Sequence, residues 1–355
     1  MAEARRIDHR AGYRGGALAV LAALAVAGAV GCGKKAGPPP GHAPELTGLA
    51  VVPANAQAVV GVDVAKLTDS QVVDRAIEQL LTHDAALAER WQRFKEACKI
   101  DLEKQIKRVI IALGPHTGLQ PGTGPVLMIA TGSVPETELK DCVTKLVGTG
   151  GGTVTGKAVQ DRTVYLAKDG NRTMYFAYSR PDTIVLGSDE AYLTEALSSG
   201  KKAADDPELT TWRRLVNARS PLWAVGRTDP RIRDGLVQLT EGKISAGPAA
   251  FAASLDLTDG AKFQLSAVMA TQEQAKNLES YAKGELALLG AAAQLKSLGA
   301  LVAKLGVTVD NAVVQFQATL TVDDLNRLLS ALDAASTSEQ DRPPPDPAAG
   351  SGTQQ

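Results

Sequence analysis

One junction recurs along this chain and limits what it can fold into: a β-rich stretch, a short polar cap, then a helical pattern. Ala58-Val59-Val60-Gly61-Val62-Asp63-Val64 reads as a strand by its β-branched content. Thr68-Asp69-Ser70-Gln71 follows with capping-box spacing, the Thr oxygen taking a free amide and Gln reaching back. Ser133-Val134-Pro135-Glu136, Ser188, Thr271-Gln272-Glu273-Gln274 and Thr321-Val322-Asp323-Asp324 open later helices in the same way. Between the caps lie pairs of strands. Arg108–Leu113 and Pro125–Ala130 are joined by GPHTGLQPGTG, while Thr153–Ala167 and Thr173–Leu186 turn at Lys168-Asp169-Gly170-Asn171. Ala249–Leu257 and Lys262–Met269 turn at Asp259-Gly260, and Gly306–Asp310 and Ala312–Leu320 turn at Asp310-Asn311.

The order of these elements predicts an α+β fold in which helices cover one face of antiparallel sheet. It also predicts two similar halves, each β-α followed by β-β-α twice, with a thin echo at Val60-Gly61 and Val225-Gly226. The halves are placed at 53–200 and 201–335, with an extra helical piece at 291–305 that breaks at Gly290 and Gly299. Cys98 and Cys142 fall on the apolar sides of two helical patterns of the first half. If both helices cover the same sheet face they could form a disulfide; otherwise they are two buried thiols.

The ends have another character. Residues 32–52 contain Pro38-Pro39-Pro40 flanked by glycines and read as an extended tether, and residues 336–355 read as a disordered tail. Residues 1–31 have the anatomy of a secretory signal: Arg5, Arg6, Arg10 and Arg14 precede Gly15–Val30, which carries no charge. The run is short for a membrane-spanning helix, which needs about 20 apolar residues. Ala29-Val30-Gly31-Cys32 at its end resembles a lipobox, where bacterial signal peptidase II cuts before a lipidated cysteine. The resemblance implies a diacylglyceryl thioether on Cys32 and a third acyl chain on its freed amine. Two or more chains anchor stably, at about 0.8 kcal/mol per buried methylene. Gly33, rather than Asp, after the cysteine implies sorting to the outer membrane. Cys98-Lys99-Ile100-Asp101 resembles uncharacterised bacterial lipoproteins, which implies no activity.

Cleavage before Cys32 would leave 34 basic and 37 acidic residues, a net charge of −3. That balance gives no basis for a nucleic-acid partner. Aromatic residues make up 4% of the chain, so its core must be built mainly from Ala, Val and Leu.

Catalytic and metal motifs are missing from the sequence. Gly151 to Lys157 fits the start of a phosphate loop, but Ala158 replaces its hydroxyl, and a helical pattern precedes it where a strand is required. No H-E-x-x-H or G-x-S-x-G occurs. His116, in the Gly/Pro loop, reads as a solvated loop histidine, with a role as a base the lesser alternative. No metal or cofactor is expected. Leu288, Leu295, Leu298 and Val302 instead suggest an apolar face, either covering the sheet or offered to a protein or apolar ligand. The expectation is a non-enzymatic, lipid-anchored binding or scaffold protein of the bacterial envelope. The alternatives are a periplasmic carrier or chaperone of an apolar ligand and, behind it, an enzyme whose site is unrecognised.

Overall fold

The computed structural model describes residues 48–98, 100–115, 124–217, 220–294, 299–328 and 330. Its strands are β1 (Ala58–Asp63), β2 (Ile106–Leu113), β3 (Val126–Gly132), β4 (Thr153–Val159), β5 (Arg162–Asp169) and β6 (Arg172–Arg180). They continue as β7 (Thr183–Gly187), β8 (Leu222–Arg227), β9 (Ala250–Asp256), β10 (Ala261–Val268), β11 (Leu305–Asp310) and β12 (Val313–Leu320). The helices of the first part are α1 (Val64–Leu67), α2 (Gln71–His83), α3 (Ala85–Ala97), α4 (Leu102–Gln105), α5 (Glu136–Gly148) and α6 (Glu190–Leu197). The later ones are α7 (Pro207–Arg213), α8 (Pro230–Leu239), α9 (Gln272–Gln294), α10 (Gly299–Val302) and α11, over 322–328.

All twelve strands form one antiparallel sheet in the order β11-β12-β10-β9-β8-β1-β2-β3-β7-β6-β5-β4. The fold is α+β. Its centre is the β1–β8 ladder, where Val60 stands opposite Ala224. Seven strands lie to one side of that seam, β1 included, and five to the other.

Strand side chains alternate between faces, so one row of partners describes a whole face. On the front face a row runs Gly306, Gln317, Gln264, Ser254, Trp223, Gly61, Ile110, Ile129, Val185, Ala177, Val164, Lys157. The neighbouring row, on the back face, runs Val307, Phe316, Leu265, Ala253, Ala224, Val60, Ile111, Met128, Leu186, Phe176, Tyr165, Gly156. The back is apolar almost from edge to edge. The front stays apolar as far as Val225 and Ala252 and turns polar at Ser254 and along β10 and β12.

Helices follow the apolar surface. In front, Val51, Val52 and Ala56, with Leu193 and Ala196 of α6 and Leu209 of α7, pack on Val59, Ala112, Leu127, Ile129 and Val185. Behind, α1, α2 and α5 bury Leu67, Val73 and Cys142 against Val62, Val109 and Ile184. Further along the back, Ala275, Leu278, Ala282 and Leu286 of α9 cover Ala267, Val307, Val314 and Phe316. A disulfide joins Cys98, just past α3, to Cys142 of α5, with Cα atoms 4.7 Å apart.

Several details differ from the sequence reading. The two long strands expected at 153–167 and 173–186 are four, because the chain reverses at Gln160-Asp161 and at Pro181-Asp182. Gln160 takes the left-handed conformation usually left to glycine or asparagine, with φ 57°, so the turn carries no signature residue. Ser70, not Thr68, caps α2: its hydroxyl accepts from Val73 N, while the Thr68 hydroxyl donates to Ala65 O. Asp189, not Ser188, caps α6, and Ser188 Oγ instead accepts from Val126 N. At α5 the capping position is Pro135, whose side chain makes no cap hydrogen bond. The break expected at Gly290 does not occur, since α9 continues to Gln294 and Gly290 lies against Val302 of α10. Leu288 and Val302 therefore sit on different helices and share no single helix face.

Candidate binding surfaces

The polar part of the front face is built by three adjacent rows. Ser254, Gln264 and Gln317 lie side by side on β9, β10 and β12. Asp256, Lys262 and Thr319 flank them on one side, and Ser266 with Gln315 on the other. Of the helices among the described residues, α7 touches β9 in front, and Ser254 and Ser266 are buried. The chain after α7 forms a wall, held where Gln264 Nε2 donates to Leu215 O at 3.4 Å, and Ser220 lies buried beside it. The result is an open groove of about 550 Å³ with Ser220, Ser254, Gln264, Gln317 and Lys304 among its lining residues.

Its charges are largely committed. Asp256 Oδ1 accepts from the Thr258 hydroxyl at 2.6 Å and the Thr258 amide at 3.0 Å. The hydroxyl bond, more than any other influence, holds the carboxyl below its usual range. At the rim, Lys304 pairs with Asp324, which also accepts from the amide and hydroxyl of Thr321. Lys304 above all, and then Thr321, bring the Asp324 pKa down to about 2. The groove thus sets the amides and hydroxyls of Ser254, Gln264, Gln317 and Thr319 beside the charged Asp256 and Lys262 and the apolar Phe263 and Leu305.

A second surface lies behind. Leu288 and Leu289, in the last turns of α9, are 67% and 55% exposed. A shallow groove of about 500 Å³ runs beside them, lined by Lys243, Asn277, Tyr281 and Leu288. The Ser245 amide donates to Asn277 Oδ1 and Asn277 Nδ2 to Lys243 O, tying the loop after α8 to α9. Leu239, at the end of α8, is 82% exposed.

Of the residues singled out from sequence, Cys98 and Cys142 meet in the disulfide, and Leu288 is exposed on α9. Val302 is half-buried in α10. Cys32, His116, Leu295 and Leu298 lie outside the described residues. Gly151 and Gly152 form the turn between α5 and β4, so a strand follows them. A Cβ on Gly152 would stand 2.3 Å from Lys168 O, so close packing explains that glycine. Among the described residues, no group of three or more His, Cys, Asp or Glu side chains is placed to hold a metal ion. The polar groove escaped the sequence reading. Its signal was the period-two polar runs Lys262, Gln264, Ser266 and Gln315, Gln317, Thr319, which point to one face of two strands.

No protein-family model matches this chain, and no curated protein matches it. One solved structure, described as "Structure of crystal form I of TP0453", is similar at a TM-score of 0.42 and 11% identity, covering 81% of this chain and 98% of its own. A likeness that loose supports no argument about function.

Proposed function

We propose that the protein is a lipid-anchored binding module of the bacterial envelope, held to the outer membrane through Cys32 and offering the front-face groove to a polar, uncharged ligand or partner surface. One observation carries the binding part of this reading. Along the row through Trp223 the sheet face changes from apolar to polar, and the wall after α7 makes the polar part concave. The Cys98–Cys142 disulfide suits an exported protein, because such bonds persist in oxidising compartments. The carrier alternative calls for an apolar site, and the polar floor of this groove fits it less well.

We also propose that the body arose by duplication. From the seam outwards the strands run β1-β2-β3-β7-β6 on one side and β8-β9-β10-β12-β11 on the other, which supports that reading. On it, β4 and β5 are a hairpin added to the first copy. The Val60-Gly61 and Val225-Gly226 echo adds nothing to it. Val60 faces the back and Val225 the front, whereas a two-fold axis relating antiparallel neighbours would keep equivalent residues on one face.

Two experiments test the proposal. Cys32→Ser should release the protein from the membrane fraction, and retention after a carbonate wash would reject the anchor. Photo-crosslinking amino acids at Gln264 and Gln317, in intact envelopes, should give adducts that the same probe at exposed Lys168 does not. Identical adducts from all three positions, or none from the groove, would reject the groove as the site.

A further inference from the structure

The end of α9 has a composition that the sheet does not explain. Leu286 is the last residue of the helix packed into the back-face core. The helix then runs on to Gln294, a further eight residues or about 12 Å. From Leu286 to Gln294 it carries no charged residue, and its two large side chains beyond Leu286, Leu288 and Leu289, both face solvent. Gly290 in the same turn is taken up by Val302, so α10 packs on the glycine side and leaves the leucines uncovered. Leu239, at the end of α8, is a further exposed apolar side chain, outside the lining of that groove. Adjacent exposed leucines on a charge-free helix end mark a surface that meets something apolar.

The tether says what lies within reach. Of the residues expected as tether, Val51 and Val52 belong to the core, and the 15 residues 33–47 lead into Gly48, beside Ile110 on the front of the sheet near the seam. A chain of 15 residues reaches at most about 50 Å, enough to let either face of the body turn towards the bilayer. Held at that distance, a weak apolar contact becomes an intramolecular one with a high effective concentration.

We infer that the last turns of α9, through Leu288 and Leu289, insert into the surface of the bilayer to which the protein is anchored. This rests on the anchored reading of Cys32. Because the stretch is uncharged, insertion is driven by apolar burial and needs no anionic lipid. The acyl chains would fix the distance to the membrane, and the helix end would fix which side of the body turns towards it.

The test removes the anchor, so that its result is independent of lipidation, which the fractionation of Cys32→Ser reads separately. The mature chain carrying Cys32→Ser is mixed with small vesicles of phosphatidylcholine alone, at millimolar lipid, which stands in for the effective concentration that the tether supplies. Leu288→Trp should add emission that shifts to the blue on vesicle addition and is quenched by bromine-labelled acyl chains. The double variant Leu288→Asp, Leu289→Asp should lower the vesicle-bound fraction at least tenfold, while the thermal unfolding curve stays unchanged. Indole emission indifferent to vesicles, or a double variant that floats as well as the parent, would overturn the inference. Should the double variant unfold, the tryptophan reporter decides alone.

Discussion

The indole of Trp223 occupies the space that a side chain on Gly61 would need: a Cβ built on Gly61 would stand 2.1 Å from Trp223 Cε2. The two residues are direct partners across the β1–β8 seam, where the front face changes character. Gly61→Ala should therefore push the indole off its seat. A rigid ring with core neighbours cannot step aside freely, and overpacking of this kind costs about 1–3 kcal/mol. The expected result is a lowered unfolding midpoint in urea together with altered tryptophan emission. An unchanged midpoint would mean that the seam is loosely packed.

The Cys98–Cys142 bond ties α3 to α5 across a sequence separation of 44 residues. A closed loop of that size restricts the unfolded chain by about 4 kcal/mol in entropy terms. Reduction, or the paired change Cys98→Ala and Cys142→Ala, should lower stability by a comparable amount. The oxidised, unfolded protein should take up no thiol label at these positions. Quantitative labelling without prior reduction would show that no bridge had formed.

Lys202 is buried, and its ammonium group donates to Glu195 O at 2.7 Å and Ala196 O at 2.8 Å, where α6 ends. It satisfies Ala196 O at the helix end and shares Glu195 O with the amide and hydroxyl of Ser198. Lys202→Met keeps much of the side-chain volume but takes the donor from Ala196 O, at about 1–3 kcal/mol for a buried group left unsatisfied. Hydrogen exchange should rise first in α6. Uniform exchange across the sheet would argue against this local role.

Acid should loosen the rim of the groove at a defined point. Asp324 has a pKa of about 2 in the folded protein, against an ordinary value of 3.8. Since the folded value is the lower one, the pair with Lys304 contributes stability in full above pH 4 and loses it as the pH falls towards 2. Asp324→Asn should remove that part of the acid sensitivity and leave the rest of the curve intact. A superimposable acid-unfolding curve would contradict it.

Much of the fold was legible where turns are written in residue chemistry. Gly170, Gly260 and Asn311 all take positive φ at the hairpin positions their identities suggest, and Thr321 and Asp324 cap α11 reciprocally. Gln160 carries no such signature, so its reversal was invisible. Strand order was harder, because the pairing of β1 with β8 depends on packing between residues far apart in sequence. The groove shares that cause. Polar alternation on β10 and on β12 is plain in each strand alone, but only their adjacency turns two stripes into a floor.

The seam also sets a schedule. Val60 must wait for Ala224, 164 residues later in the chain, before β1 has both of its neighbours. During N-to-C emergence, β2 and β3 can pair while the other side of β1 stays an open edge, with Val60 and Val62 on its back face. An open edge of that kind templates pairing with any strand at hand, including one from another nascent chain. The interval before β8 arrives is the period of greatest exposure to aggregation. Slower delivery of residues 222–227 should lower the yield of folded protein without altering its final stability.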